Sequence, residues 1–164
     1  LHRVDRRQRQ MCIRDSHYGM QMYNEEMLEF IKESDHELNN VETEINYANV
    51  VCGIKIPGVE HMEIKKTVSK LDIKPTLSYI SGLKDEVSLG TNIFGTKDFA
   101  CLNNGIVVSD DYYYNGEWYD RKNGEEINIE DLDDKKKNQL NYYKNKMDEE
   151  LTISNSIVLN NLLK

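Results

Sequence analysis

The chain has 164 residues, of which 30% are charged and 38% hydrophobic, and its formal net charge is −8 at pH 7. This length suits one domain that buries a core of its own, and no apolar run approaches the ~20 residues of a membrane-spanning helix. Because the balance is acidic, nucleic-acid phosphates and anionic membranes should repel the chain, and we predict neither as a partner.

Residues 6–16 have an unusual sequence, because RRQRQMCIRDS matches the translation of a transposase adapter used in shotgun sequencing. Five of the six arginines also lie before residue 17. We therefore predict that residues 1–16 are adapter read-through and that residues 17–164 form a single α+β domain. The first 16 residues contain five Arg and two Asp, so the remainder carries a net charge of −11.

The first predicted helix begins at Asn24, a capping side chain followed by two glutamates at the positive helix end. Apolar residues then recur near a 3.6-residue period as far as Ala48. The sequence SDHE, which begins at Ser34, fits a capping box, so this stretch is either one helix or a helix pair. A β-like segment follows over residues 46–56 and is closed by a Pro-Gly pair.

The middle of the chain predicts a series of short strands. Residues 59–73 fit either a helix or a strand, and we favour the helix. Beyond them, β-prone runs alternate with turn residues, over 76–80, 86–89, 98–102, 106–109, 112–114 and 117–119. Three Asn-Gly pairs, at 104–105, 115–116 and 123–124, supply the positive φ angles of tight hairpin turns. Together they predict an antiparallel β-meander.

A C-terminal amphipathic helix is predicted to begin at Asp131 or Asp133. Its apolar face consists of Leu132, Leu140, Tyr143, Met147 and Leu151. The predicted fold class is therefore α+β, with an N-terminal helix or helix pair, a central antiparallel β-meander with Asn-Gly hairpins, and the C-terminal helix. The apolar stripes fit packing on the sheet or between chains, and we favour a homo-oligomer.

One segment, residues 90–97 with the sequence GTNIFGTK, has the composition of a ligand-binding loop. Glycine lets a backbone approach a ligand closely, threonine hydroxyls and amides donate to oxyanions, and lysine adds charge. The Thr-Lys order reverses that of a Walker A loop, and a strand rather than a helix follows, so we exclude a nucleotide hydrolase. The predicted contacts to a small anionic ligand are Gly90, Thr91, Asn92, Gly95, Thr96 and Lys97. The alternative is a pair of ordinary glycine turns.

Five aromatic residues crowd one hairpin: Tyr112, Tyr113, Tyr114, Trp118 and Tyr119. Because exposed aromatic rings stack on sugars and bases, we predict that Tyr114 or Trp118 stacks on the ligand. The alternative is that cross-strand aromatic pairs hold the ribbon together. Since side chains alternate along a strand, some of these rings should lie in the core and others should be exposed.

Catalytic residue types do not form a convincing set. A Cys52–His61 dyad is one arrangement, but the commoner role of Cys52 and Cys101 is that of reduced, buried thiols. No metal-ligand spacing is present, and we predict no catalytic residues, no metal and no cofactor.

The sequence therefore favours a small, acidic, non-catalytic binding or assembly protein. Its preferred partner is a small anionic ligand such as a nucleotide. The alternative is a protein-interaction or inhibitor module that meets a basic protein surface through its acidic helices, and the third reading is an enzyme of another class. The wealth of Asn, Tyr and Ile suits an AT-rich genome, so we predict a phage or mobile-element origin and a cytoplasmic location.

Overall fold

The computed structural model describes residues 11–14, 40–50, 52–85, 87–102 and 104–162. Its contacts divide the chain into two units, residues 1–63 and 64–164, where the sequence predicted one domain over residues 17–164. Over these described residues, three helices combine with an antiparallel five-stranded sheet, which confirms the α+β class.

In its described residues, 11–14, 40–50 and 52–63, the first unit has two strands and a helix. Strand β1 (Met11–Arg14) pairs antiparallel with β2 (Cys52–Lys55), and α1 spans Asn40–Ala48. The β-like segment predicted over 46–56 thus contains a strand, whereas the helix predicted from Asn24 is observed only over α1. Its earlier part lies outside the described residues, and the adapter origin of residues 1–16 stays a prediction.

The second unit contains a five-stranded sheet and two helices within its described residues. Its elements are α2 (Ile73–Ser81), β3 (Phe99–Cys101), β4 (Val107–Ser109), β5 (Tyr112–Tyr114), β6 (Trp118–Asp120), β7 (Glu126–Ile127) and α3 (Asp134–Leu159). Each strand pairs antiparallel with the next one along the chain, so the predicted β-meander is confirmed. Short 3₁₀ turns, Lys70–Asp72 and Ile129–Asp131, precede α2 and α3.

Helix α2 contains residues 76–80, whose side chains favour a strand. The strand predicted over 76–80 is wrong, because a capping box of Ser69 and Asp72 begins the helical segment and Gly82, in the left-handed conformation at φ 66°, ends it. The strand predicted over 86–89 is also wrong, since residues 87–89 lie outside any strand. The helix favoured over 59–73 is wrong for residues 59–69, which have no regular structure.

The Asn-Gly turns differ in detail from the prediction. The φ angles of Gly105, Gly116 and Gly124 are 80°, 115° and 71°. Each glycine therefore adopts a positive-φ conformation that residues with a side chain rarely adopt. The preceding asparagines do not, because Asn161 is the one non-glycine residue with positive φ in the described part of the chain. The prediction of positive φ is therefore confirmed for the glycines and wrong for the asparagines.

The core of the second unit lies between one face of the sheet and α3. Its buried residues are Phe99, Cys101, Val107, Trp118, Leu140, Tyr143 and Met147. Three of them belong to the predicted apolar face of the C-terminal helix, and Leu132 and Leu151 are partly buried against them. The helix is capped by Asp133, whose side chain accepts a hydrogen bond from Lys136 N at 2.9 Å. The homo-oligomer stays a prediction, which native mass spectrometry tests.

Candidate functional site

The glycine loop, residues 90–97, is held by a carboxylate that sequence reasoning missed. Asp72 is 3% exposed, and its two oxygens accept hydrogen bonds from Ser69 N at 2.7 Å and Thr91 N at 2.8 Å. A buried carboxylate requires such partners, since an unpaired one is costly to remove from water. Asp72 therefore fixes the start of the glycine loop against the turn that precedes α2.

Lys97 closes the other end of the glycine loop. Its Nζ lies 3.0 Å from Glu150 Oε1 and 4.0 Å from Asp72 Oδ1, and its side chain is only 12% exposed. The ammonium also lies 5.0 Å from the centre of the Phe99 ring. The positive charge that the sequence assigned to a ligand is thus balanced by two carboxylates of the protein.

Gly90 permits a close approach between two parts of the backbone. A Cβ atom added at this position would lie 2.2 Å from Leu71 O and 2.7 Å from Asp72 N. No side chain fits there, because non-bonded contacts of this length are repulsive. The space that glycine leaves open is therefore filled by the chain itself.

The other polar groups of the glycine loop are largely engaged within the protein. Ile93 N donates to the fully buried Thr76 Oγ1 at 3.0 Å, and Asn92 Oδ1 accepts from Phe94 N at 3.1 Å. Lys66 Nζ donates to the carbonyl oxygen of Gly95. Of the residues predicted to contact a ligand, Thr91, Gly95 and Thr96 are exposed.

The aromatic hairpin contributes to the core. Trp118 is 2% exposed, and its ring lies 4.9 Å from that of Tyr114, its partner across the β5–β6 pair. Tyr113 and Tyr119 form a second pair, at 6.3 Å, on the opposite face of the sheet. The expectation that some of these rings are exposed is wrong, because each of the five is buried or half-buried. The structure places Trp118 where a ligand does not reach it.

Two ionisable groups in the core are held in their neutral forms. Burial, reinforced by the nearby Glu150 carboxylate, raises the pKa of the Cys101 thiol to about 12. Burial likewise raises the pKa of Tyr143 to about 12, and its hydroxyl bonds Gln139 and Asp98. Cys52 is exposed, so the expectation of two buried thiols is confirmed for Cys101 and wrong for Cys52.

Within residues 11–14, 40–50, 52–85, 87–102 and 104–162, no three His, Cys, Asp or Glu side chains are grouped so that they could hold a metal ion. None of the helices described is both long and apolar enough to cross a membrane.

The chain is similar to a much longer bacterial protein. Over 158 residues it is 30% identical to the lipoteichoic acid synthase-like protein YvgJ of Bacillus subtilis (strain 168), and the match takes in 90% of this chain. The chain spans 24% of the length of that relative. No family model matches the chain.

Proposed function

We propose that this chain is part of a protein similar to lipoteichoic acid synthase, and that it binds the anionic polymer without carrying out the chemistry. The observation that supports this proposal is the 30% identity to a lipoteichoic acid synthase-like protein across 90% of the chain. Lipoteichoic acids are lipid-linked polymers whose units are joined by phosphodiesters. Such a polymer shares its negative charge with the small anionic ligand that the composition of the glycine loop favours.

A non-catalytic role agrees with the state of the reactive groups in the second unit. The Cys101 thiol, with its pKa raised to about 12, remains protonated at neutral pH and is a poor nucleophile. The ammonium of Lys97 is paired with the carboxylates of Asp72 and Glu150 in a largely buried cluster. These groups anchor both ends of the glycine loop, and an anchored loop is a suitable base for a binding surface.

The surface that remains for a phosphodiester is the exposed side of the glycine loop. Thr91 and Thr96 are exposed there, and the ammonium of Lys66 is held beside Gly95 by a neutral carbonyl group. Hydroxyl donors and a cation that is bound to a neutral acceptor suit a singly charged phosphodiester. Loss of both hydroxyls in Thr91→Val/Thr96→Val should therefore weaken binding.

Titration calorimetry with deacylated lipoteichoic acid tests the proposal, because removal of the acyl chains separates polymer binding from binding to lipid. We expect the unaltered chain to bind and Thr91→Val/Thr96→Val to bind about tenfold more weakly. Thr152→Val, at an exposed position of α3, is the matched control and should bind normally. Absence of heat with the unaltered chain would reject the proposal. Phage origin and cytoplasmic location stay predictions.

A further inference from the structure

Charge is distributed very unevenly along the chain. Residues 64–97 contain six lysines and three acidic residues, a net charge of +3. Residues 17–63 carry −8 and residues 98–164 carry −6. The expected repulsion from anionic surfaces follows from the net charge of the whole chain and does not hold for this basic segment.

The same segment exposes an unusual amount of apolar surface. Six of its large apolar side chains are between 41% and 69% exposed: Val68, Leu71, Tyr79, Leu83, Val87 and Phe94. Exposed apolar residues that cluster beside cations are uncommon on a protein surface that faces only water.

Two of these side chains form a pair next to a cation. The rings of Tyr79, near the end of α2, and Phe94, in the glycine loop, lie 5.9 Å apart. Lys66 donates to the carbonyl of Gly95, the residue after Phe94. Since that acceptor is neutral, the bond fixes the ammonium without cancelling its charge. We call Lys66, Tyr79 and Phe94 the basic-aromatic patch.

This combination matches the chemistry of an anionic lipid surface. Aromatic side chains enter the boundary between headgroups and acyl chains, while lysine ammonium groups are attracted to phosphate headgroups. A hydrophilic polyanion would use the charge but leave both rings in water. We propose that the basic-aromatic patch docks this chain on a membrane surface that contains anionic phospholipid. The docking goes beyond the proposed polymer binding and does not depend on it.

Co-sedimentation of the whole chain with phosphatidylglycerol–phosphatidylcholine vesicles tests the docking. We expect binding that weakens in high salt and is lost with phosphatidylcholine alone. Tyr79→Ser/Phe94→Ser should lower the partition coefficient at least about tenfold, because two rings no longer leave water. Lys66→Gln should lower it about fivefold, the effect of one lysine near an anionic surface.

Two matched controls distinguish the effect of the basic-aromatic patch from the effects of other exposed apolar side chains and of other positive charges. Val158→Ser/Leu159→Ser removes two apolar side chains that are 75% and 83% exposed on α3, and Lys122→Gln removes an exposed cation from the β6–β7 loop. Both should bind as the unaltered chain does. The arginines of residues 1–16 are present in every variant, so differences between variants report the patch.

A fluorescence measurement covers the case in which the double serine variant fails to fold. Phe94→Trp places an indole in the patch, and its emission should shift to the blue on phosphatidylglycerol vesicles, whereas Trp118 is already buried. Absence of vesicle binding, undiminished binding by the double serine variant, or an unshifted Phe94→Trp spectrum would overturn the docking. If the chain binds deacylated polymer but not vesicles, the docking is rejected and the proposed function stands. If it binds vesicles but not deacylated polymer, the proposed function is rejected and the docking stands.

Discussion

Lys97 Nζ lies 3.0 Å from Glu150 Oε1, and this contact joins the glycine loop to α3 across 53 positions of the sequence. The same ammonium faces Asp72, so three charges from three distant segments share one largely buried cluster. Lys97 supplies the positive charge of this cluster, so its removal leaves two largely buried carboxylates without a cation.

Lys97→Met should therefore be strongly destabilising. It keeps the length of the side chain but removes the cation that Asp72 and Glu150 share, and we expect the free energy of unfolding to fall by about 3–5 kcal/mol. Urea denaturation measures this change. The control is Lys122→Met. The side chains of Lys122 and its ion-pair partner Asp111 are 81% and 60% exposed, so this substitution should change the free energy of unfolding by less than about 1 kcal/mol. Equal effects would show that the cluster contributes no more than a surface pair.

Gly90→Ala should destabilise the second unit through backbone repulsion. The new Cβ would lie 2.2 Å from Leu71 O, so either the glycine loop or the turn before α2 must move. We expect a loss of about 2–4 kcal/mol in thermal or urea unfolding, the scale of overpacked sites. Gly53→Ala is the control, because nothing lies within 4 Å of an added Cβ there and its φ is not positive. A Gly90→Ala variant as stable as the unaltered chain would contradict this close approach.

Thr76→Val should remove a buried link between α2 and the glycine loop. Valine has nearly the same shape, but it cannot accept the hydrogen bond from Ile93 N, nor donate to Asp72 O. The amide of Ile93 is then left without this acceptor, so we expect a loss of about 1–3 kcal/mol in chemical unfolding. Thr91→Val, at an exposed position, should stay within about 0.5 kcal/mol. If both variants have the same free energy of unfolding, the buried Thr76 hydroxyl does not contribute to stability.

Cys101 should make the fold sensitive to alkali. Its pKa is about 12 in the folded chain and 9.0 ordinarily, so the unfolded chain loses this proton first as pH rises. The contribution of the neutral thiol is fully present below pH 9 and is lost between about pH 9 and 12. Tyr143, raised from 10.0 to about 12, acts in the same direction over a narrower range. The melting temperatures of the unaltered chain and of Cys101→Ala should therefore converge as pH rises through this window. A constant difference between the two melting temperatures would contradict the raised pKa of Cys101.

Local patterns predicted the sheet and α3 well, since each depends on neighbours in sequence. Glycine after asparagine marks a turn wherever it occurs, and the helix periodicity places Leu140, Tyr143 and Met147 on one face. By contrast, residues 76–80 have β-branched and aromatic side chains that suit a strand. The run is nevertheless helical, because the capping box of Ser69 and Asp72 begins the helical segment and Gly82 ends it.

The candidate site was less predictable because its contacts are distant in sequence. Glycine, threonine and lysine in residues 90–97 indicate a polar loop, but sequence does not show which partner each group meets. Asp72 reaches Thr91 across 19 positions, and Lys97 reaches Glu150 across 53. Alternation likewise predicts that Tyr114 and Trp118 share a face, while the burial of that face depends on where α3 packs.

The order of the strands has a consequence for how quickly the chain folds. Strands β3 to β7 pair strictly with their neighbours, across connections of two to five residues. Such pairs form with little loss of loop entropy, so the meander can assemble one hairpin at a time. Docking of α3 and formation of the Lys97–Glu150 contact close far longer loops. We therefore expect the slow step of folding to be the arrival of this helix on a sheet that is already formed.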